Sequence, residues 1–236
     1  MPPVEPIELT NSAVTDVFLN LASRADEFEN YPHPHALRIA AIADQIAKSF
    51  RLGPRDRFSL RIAALAHDLG ELVMNRDYIY RPGILRDEER MDLARHPLIS
   101  EREAATAGAD RGTQLLVRWH HEWWNGNGYP DGLRFEQIPL GARILRVADS
   151  YASLTDARPH REAFSEQQAR AHLIEWTGIE FDPRVVRGFL SLEPFAELKG
   201  YAKEVEPPDM KLIADELLAR MEQLELKPTP PAITGS

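Results

Sequence analysis

The sequence predicts an all-α fold, and three observations carry that prediction. Apolar residues recur at three- and four-residue spacing almost throughout the chain. Prolines and glycines interrupt the pattern at Pro32, Pro34, Gly53, Pro54, Pro97, Pro139, Pro159 and Pro183, cutting it into helix-length pieces. The 236 residues suffice for one core, and no internal repeat divides them.

The first helix is expected from about Ser12 to Glu29, with Val14, Val17, Phe18, Leu21 and Phe28 on one face. Pro32-His33-Pro34 ends it. A second runs from His35 to about Phe50 through Ile39, Ile42, Ala43 and Ile46, stopped by Leu52-Gly53-Pro54. Pro54 has no N–H to lose and suits the first turn of a third helix, through Leu60, Ile62, Ala63 and Leu65. That helix delivers His67-Asp68 near its end. Asp87 to Arg95 is short and charged, and Pro97 restarts the chain to about Ala107. Arg111 to His121 carries Leu115, Leu116 and Trp119.

Residues 122–137 lack helical periodicity and are rich in Gly, Asn and Pro, which reads as an ordered loop. Pro139 opens a long helix to about Thr155, broken by Arg158-Pro159. Ser165 and Gln168 form a capping box for a helix to Trp176. Phe181-Asp182-Pro183 introduces one ending near Leu192. Beyond Pro207-Pro208 a last helix spans roughly Asp209 to Leu224, and the tail from Lys227 to Ser236 is too polar and proline-rich to fold alone. The expected organisation is an N-terminal accessory helix (1–30), a central domain (31–205), and a C-terminal helix with a disordered tail (206–236). The two outer helices could pack on the core or pair in a homodimer.

Composition narrows the chemistry. The chain is 43% hydrophobic and 28% charged, ordinary values for a globular protein. With no cysteine, disulfides and thiolate metal sites are excluded, so any metal would need His and carboxylate ligands. The first residues lack a basic start and an apolar run, and no stretch approaches a membrane span, which makes a cytoplasmic location the expectation. A formal net charge of −9 argues against binding polymeric nucleic acid. It leaves room for a small anion held by local arginines.

The most informative run is His120-His121-Glu122-Trp123-Trp124-Asn125-Gly126-Asn127-Gly128-Tyr129-Pro130. Adjacent imidazoles lie about 100° apart on a regular helix and converge best where a helix ends. With His35, His67-Asp68, His96 and Asp149 they make five His and two Asp, a ligand set suited to two cations about 3.5–4 Å apart acting on a phosphate ester. Each member has a plainer reading alone: a capping Asp, a solvated His, a buried imidazole. Asp149 is the hardest to explain that way, because it sits in the apolar stretch Ile144-Leu145-Arg146-Val147-Ala148, where an unpaired carboxylate is costly. His33, His160 and His172 read as solvated.

Order and spacing turn these signals into a resemblance. Residues from His35 to Leu192 are similar to the HD-GYP domain, a branch of the HD metallohydrolase superfamily. The matching residues are His67-Asp68-Leu69-Gly70, His96-Pro97, His120-His121-Glu122, Gly128-Tyr129-Pro130, Ala148-Asp149, Arg158-Pro159 and Phe181-Asp182-Pro183. The resemblance implies an all-α, HD-type helical bundle that hydrolyses cyclic di-GMP to pGpG or GMP with two divalent metals, iron or manganese, and a bridging hydroxide. By the same resemblance His35, His67, Asp68 and Asp149 would hold one metal. Asp68 would bridge to a second, held by His96, His120 and His121, with His67 and Asp68 as catalytic residues. Arg158 and Arg161 would clamp the other phosphate. Tyr129 and Trp124, with Trp123 nearby, would contact the nucleotide, an aromatic face suiting a guanine.

Departures from the pattern put turnover in question more than metal binding. Glu71 stands where the family has Lys, Ala152 where it has Asp, and Tyr31 where three-metal members have Glu, so two metals are expected. Glu71 could itself replace a ligand, since it lies at i+4 from His67 if that helix persists through Gly70. His160 replaces Tyr and Phe135 replaces Gly, both read as changes at the substrate mouth. A competing function is a metal-bound, catalytically impaired module. It would sense a nucleotide, or dock a protein partner through the Gly128-Tyr129-Pro130 loop. A third is hydrolysis of another nucleotide or cyclic dinucleotide.

Overall fold

The structure, a computed structural model, describes residues 12–29, 31, 34–74, 78, 84–157 and 162–192. His33, Arg158, His160, Arg161, the last helix and the C-terminal tail lie outside the described residues. The fold is all-α. Its helices are α1 (Ser12–Phe28), α2 (His35–Ser49), α3 (Pro54–Ala66), α4 (Asp87–Leu93), α5 (His96–Thr106), α6 (Arg111–Arg118), α7 (Leu140–Thr155), α8 (Glu166–Glu175) and α9 (Pro183–Leu190). Short 3-10 turns follow α3 (Leu69–Leu72) and precede α7 (Phe135–Gln137). Among the described residues no strand forms, and an isolated bridge between Thr177 and Phe181 closes the α8–α9 turn. No described helix is long and apolar enough to cross a membrane.

The centre of the molecule is α3, buried on every side from Leu60 to Ala66. Ala63, Ala64 and Ala66 leave little side chain between it and its neighbours, so α2 and α7 approach closely. These contribute Ile39, Ile42, Ala43 and Ile46 from α2, and Ile144, Leu145, Ala148 and Tyr151 from α7. Charge also ties α2 to α3: the buried Asp44 carboxylate accepts two hydrogen bonds from Arg57 (2.9 and 2.7 Å) and one from Arg61 (3.0 Å). On one flank α1 lays Phe18, Ala22 and Ala25 over α3 and the 3-10 turn. On the other, α8 and α9 close over α7 with Leu173, Val185, Val186 and Phe189.

Several ends fall where local chemistry expects them. Pro54 sits in the first turn of α3. Ser165 Oγ accepts from Gln168 N (3.2 Å) and Gln168 returns the bond to Ser165 N (2.9 Å). Asp182 caps α9 through Arg184 N at 2.8 Å. Other expectations need correction. Val17 is 45% exposed, because the buried stripe of α1 runs through Phe18, Ala22 and Ala25 at i, i+4, i+7 and leaves Val17 a third of a turn away. His172 is half-buried against Trp176 and Phe181 instead of solvated. The sixth helix stops at Arg118, three residues before the expected His121.

The loop after α6 is ordered by a buried carboxylate. Glu122 accepts backbone N–H bonds from Asp131 (2.7 Å), Gly132 (3.1 Å) and Leu133 (2.9 Å), so one side chain satisfies three donors that would otherwise need water. Asp131 in turn holds Arg118 and Trp119 Nε1, the latter at 2.7 Å. Trp124 N and Asn125 N donate to the carbonyls of Glu180 and Ile179, both at 3.0 Å, docking the loop on the α8–α9 turn. Phe135, where the resemblance expects Gly, has a φ of 51°, and its ring packs on Trp124.

Two glycines are required by space. A Cβ on Gly128 would lie 2.2 Å from Trp123 N and 2.5 Å from His121 O, and one on Gly70 would lie 2.6 Å from His96 O. Gly70 therefore lets the 3-10 turn sit directly on the start of α5, where Gly70 N also donates to Ser100 Oγ at 2.8 Å. Gly70→Ala should cost about 1–3 kcal/mol by overpacking, whereas Gly53→Ala, with nothing nearer than Asp56 Oδ2 at 4.0 Å, should be tolerated. Urea unfolding of both variants checks this, and a wild-type midpoint for Gly70→Ala would refute it.

Candidate metal centre

Four helix ends and the middle of α7 bring seven side chains to one place. His35 opens α2 directly after Pro34. At the far end of α3 the chain leaves the helix at His67, and Asp68 caps the 3-10 turn, so the two neighbours can face the same side. Because Gly70 seats α5 on that turn, His96 in the first turn of α5 arrives beside Asp68. The end of α6 at Arg118 frees His120 and His121 from helical spacing, and their ring centroids lie 4.1 Å apart. Asp149 projects from the middle of α7.

The ligand atoms form two groups with a carboxylate between them. His35, His67 and Asp149 place theirs within 4.8 Å of one another, as do His96, His120 and His121. Asp68 Oδ2 is 3.0 Å from His67 Nε2, and its other oxygen is 3.3 Å from His96 Nε2 and 3.9 Å from His120 Nε2. His67 Nε2 lies 4.0 Å from Asp149 Oδ1. A bridging carboxylate between two imidazole-lined pockets is an arrangement that two divalent cations can occupy.

Tautomers and orphan atoms test whether a metal fits. Nδ1 of His67, His96 and His120 donates to the carbonyls of Ala64 (2.9 Å), Leu93 (2.8 Å) and Val117 (2.6 Å). His35 Nδ1 donates to Asp156 at 2.6 Å, and Arg38 braces that carboxylate from its other side. In all four, Nε2 is the atom turned inward, the pattern in which a backbone or carboxylate acceptor sets a metal-binding ring. Nε2 of His35 and His67 is buried with no hydrogen-bond partner, since Asp68 stands close to His67 but out of line. Such atoms are costly unless something else occupies the space between them, and a cation fits that role.

Electrostatics divides the imidazoles. Burial works against charge on His67, but Asp68 and then Asp149 outweigh it and lift its pKa to about 9. Burial, reinforced by His96 and His67, pushes His120 down to about 3. His121 is held well below its usual range by burial, His120 and Arg146. Burial would raise the two aspartates; His67 and His96 hold Asp68, and His67 and Arg146 hold Asp149, below the ordinary carboxylate range. Electrostatics thus keeps His120 and His121 neutral on one side and favours a protonated His67 on the other.

The residues expected to meet the nucleotide fall in different surroundings. Tyr129 stacks on His121, with ring centroids 4.9 Å apart at 26°, which places it at the edge of the centre. Trp124 is turned elsewhere: Phe135 meets its ring at 5.3 Å and the Arg143 guanidinium lies 5.5 Å above it. Trp123 packs on Trp176. Tyr31 stacks flat on His35 with centroids 3.8 Å apart, covering the ring where a carboxylate was the family alternative. Glu71 does not approach through the α3 face, since that helix ends at Ala66; the 3-10 turn carries its carboxylate to Asp68 and His96.

Four functional candidates escaped the sequence reading. Asp156 orients His35, and its spacing of seven from Asp149 on α7 was a usable signal. Arg146, one turn before Asp149, donates to Asp149 Oδ2 (3.2 Å) and His121 Nδ1 (3.0 Å). It also pairs with buried Glu180, which no local pattern marks. Asp26 of α1 accepts from Ala36 N at 3.3 Å and, with Glu29, Tyr31, His35, His67 and Asp68, lines a small pocket beside the centre. Burial raises its pKa.

Comparison with known proteins places this architecture. The profile of a family described as HD domain matches residues 17–185. A cyclic di-GMP phosphodiesterase of Vibrio cholerae is 34% identical over 190 residues, covering 74% of this chain and 39% of that protein. The cyclic di-GMP phosphodiesterase response regulator RpfG of Xanthomonas campestris is 36% identical over 156 residues, 65% of this chain and 41% of its own. The chain therefore spans about two fifths of the length of these relatives. Among solved structures, a cyclic GMP-AMP specific phosphodiesterase of V. cholerae superposes with a TM-score of 0.63 at 17% identity, covering 87% of this chain and 53% of that one. That likeness is one of fold.

The His67 shift has a measurable consequence. Below its pKa of about 9 the ring is protonated, so a metal must displace one proton. His120, near 3, and His121 need no such loss at neutral pH. Apparent Mn(II) affinity should rise about tenfold per pH unit from pH 6 to 8, with one proton released in calorimetry run in two buffers. A flat profile would contradict the assignment.

Proposed function

This chain belongs to the HD-GYP branch of the HD domain family, and from that premise we propose that it is a metal-dependent phosphodiesterase acting on cyclic di-GMP. The observation that carries the proposal is Asp68, whose two oxygens face His67 on one side and His96 on the other at 3.0 and 3.3 Å. In this reading His35, His67, Asp68 and Asp149 hold one divalent ion, and Asp68, His96, His120 and His121 the second, iron or manganese. When bound, such ions supply Lewis acidity to the phosphodiester and lower the pKa of water.

The chain's own groups then do the positioning. Asp68 sets the separation of the two sites. Asp156, Ala64, Leu93 and Val117 fix the imidazole rings so that little reorganisation is needed during reaction. Tyr129, stacked on His121, offers an aromatic face at the mouth for a base or ribose. Arg146 keeps a buried positive charge beside Asp149 and His121, where a phosphate's negative charge would arrive. Arg158 and Arg161 are assigned to the distal phosphate by the resemblance alone.

A second reading has a specific observation in its favour. Glu71 is 5% exposed and adds negative charge at the centre where the family has a lysine, and Ala152 is fully buried where the family has Asp. A module so altered could retain metals and bind a nucleotide, or a protein through the Gly128-Tyr129-Pro130 loop, without turnover.

The deciding experiment uses protein prepared anaerobically with Fe(II) or Mn(II), wild type beside Asp68→Ala. Each is incubated with cyclic di-GMP and, separately, 3′3′-cyclic GMP-AMP, and the products are resolved by chromatography. The proposal expects pGpG or GMP from wild type and a loss on the order of 10³-fold or more in the variant. Equal turnover in both would rule out this centre as the catalyst. Metal-loaded wild type that binds cyclic di-GMP without cleaving it would establish the second reading.

A further inference from the structure

We propose that Glu71 is itself a metal ligand, completing the His96 side of the centre with a carboxylate that the family pattern does not provide. This deepens the reading of the centre as a two-metal site and rests on it. Oxygen atoms of Asp68 and Glu71 and a ring nitrogen of His96 lie within 4.8 Å of one another, a third ligand group sharing Asp68 and His96 with the sites already described.

The placement follows from backbone geometry. Asp68 and Glu71 are three residues apart in a 3-10 turn, closed by the Glu71 N–H donating to Asp68 O at 2.9 Å. Side chains at i and i+3 eclipse in that conformation, so both carboxylates project from the same side of the turn. Contact between Gly70 and the start of α5 then presents that side to His96. An α-helix continued through Gly70 would have sent Glu71 along the His67 face instead.

Charge supplies the second argument. Glu71 is 5% exposed and stands beside another buried carboxylate. A divalent cation coordinated by both carboxylates and His96 would offset the cost of holding two such groups close together away from water. The donor set on that side becomes two carboxylates with imidazoles, which favours harder ions such as Mn(II) and Fe(II) over softer ones.

Glu71→Gln removes one charge and keeps the shape. Metal-free wild type, Glu71→Gln and His96→Ala are titrated with Mn(II) by calorimetry, and melting is followed with and without the ion. The inference expects two sites in wild type and, in Glu71→Gln, one site unchanged and the other about tenfold weaker or more. His96→Ala should weaken the same site. Glu71→Gln should gain less melting temperature from Mn(II) than wild type does. A purely structural glutamate would lower both melting temperatures equally and leave two wild-type affinities, which would overturn the inference while leaving the two-metal reading intact. Wild type that binds no metal would remove that reading and this inference together.

Discussion

Asp68 is the constraint around which the rest is arranged. A carboxylate with imidazole nitrogens on two sides, at 3.0 and 3.3 Å, cannot be delivered by a residue in the middle of a regular helix beside its neighbour His67. The chain therefore leaves α3 at Ala66, tightens to 3-10 geometry, and uses Gly70 to let α5 touch that turn. Small residues late in α3 (Ala63, Ala64, Ala66) let its neighbours close on this break. Hydrophobic packing holds the helices, while the positions of their ends define the chemistry.

A second layer makes the centre sustainable in the interior. Three imidazoles give Nδ1 to a carbonyl three residues earlier and His35 gives its own to Asp156 beyond the end of α7, which fixes each ring plane. Positive charge from Arg146 offsets Asp149 on α7, and Arg38 offsets Asp156 just beyond it. The His67 proton and the neutral His120 and His121 are two responses to the same burial, decided by whether a carboxylate or another imidazole is the nearer neighbour.

Much of this was legible in the sequence because helix ends and candidate ligands mostly coincide. Proline, glycine and capping residues announced most breaks, and all of the seven residues except Asp149 stood at them. What escaped depends on relations that local pattern does not encode. The early end of α6 is set by the adjacent imidazoles and Glu122 leaving helical geometry together, against a propensity that runs on to His121. Trp124 read from sequence as a base-stacking residue; the arginine and phenylalanine that pack on its ring come from 19 and 11 residues away, beyond any local pattern. Glu180 reaches Arg146 across 34 residues. Glu71 was visible as an oddity of charge, but its neighbours depended on a change of helix type that composition does not reveal.

The loop after His121 has one more consequence. Glu122 gathers its N–H groups, Tyr129 N donates back to His121 O at 3.1 Å, and Tyr129 stacks on the His121 ring. The backbone that supplies His120 and His121 is thus the backbone that presents the outer face of the site. On the proposed function, selection acting on what that face would recognise also acts on how firmly the centre is assembled. Drift in one property drags the other, and a lineage in which this loop diversifies would be expected to change its affinity for metal along the way.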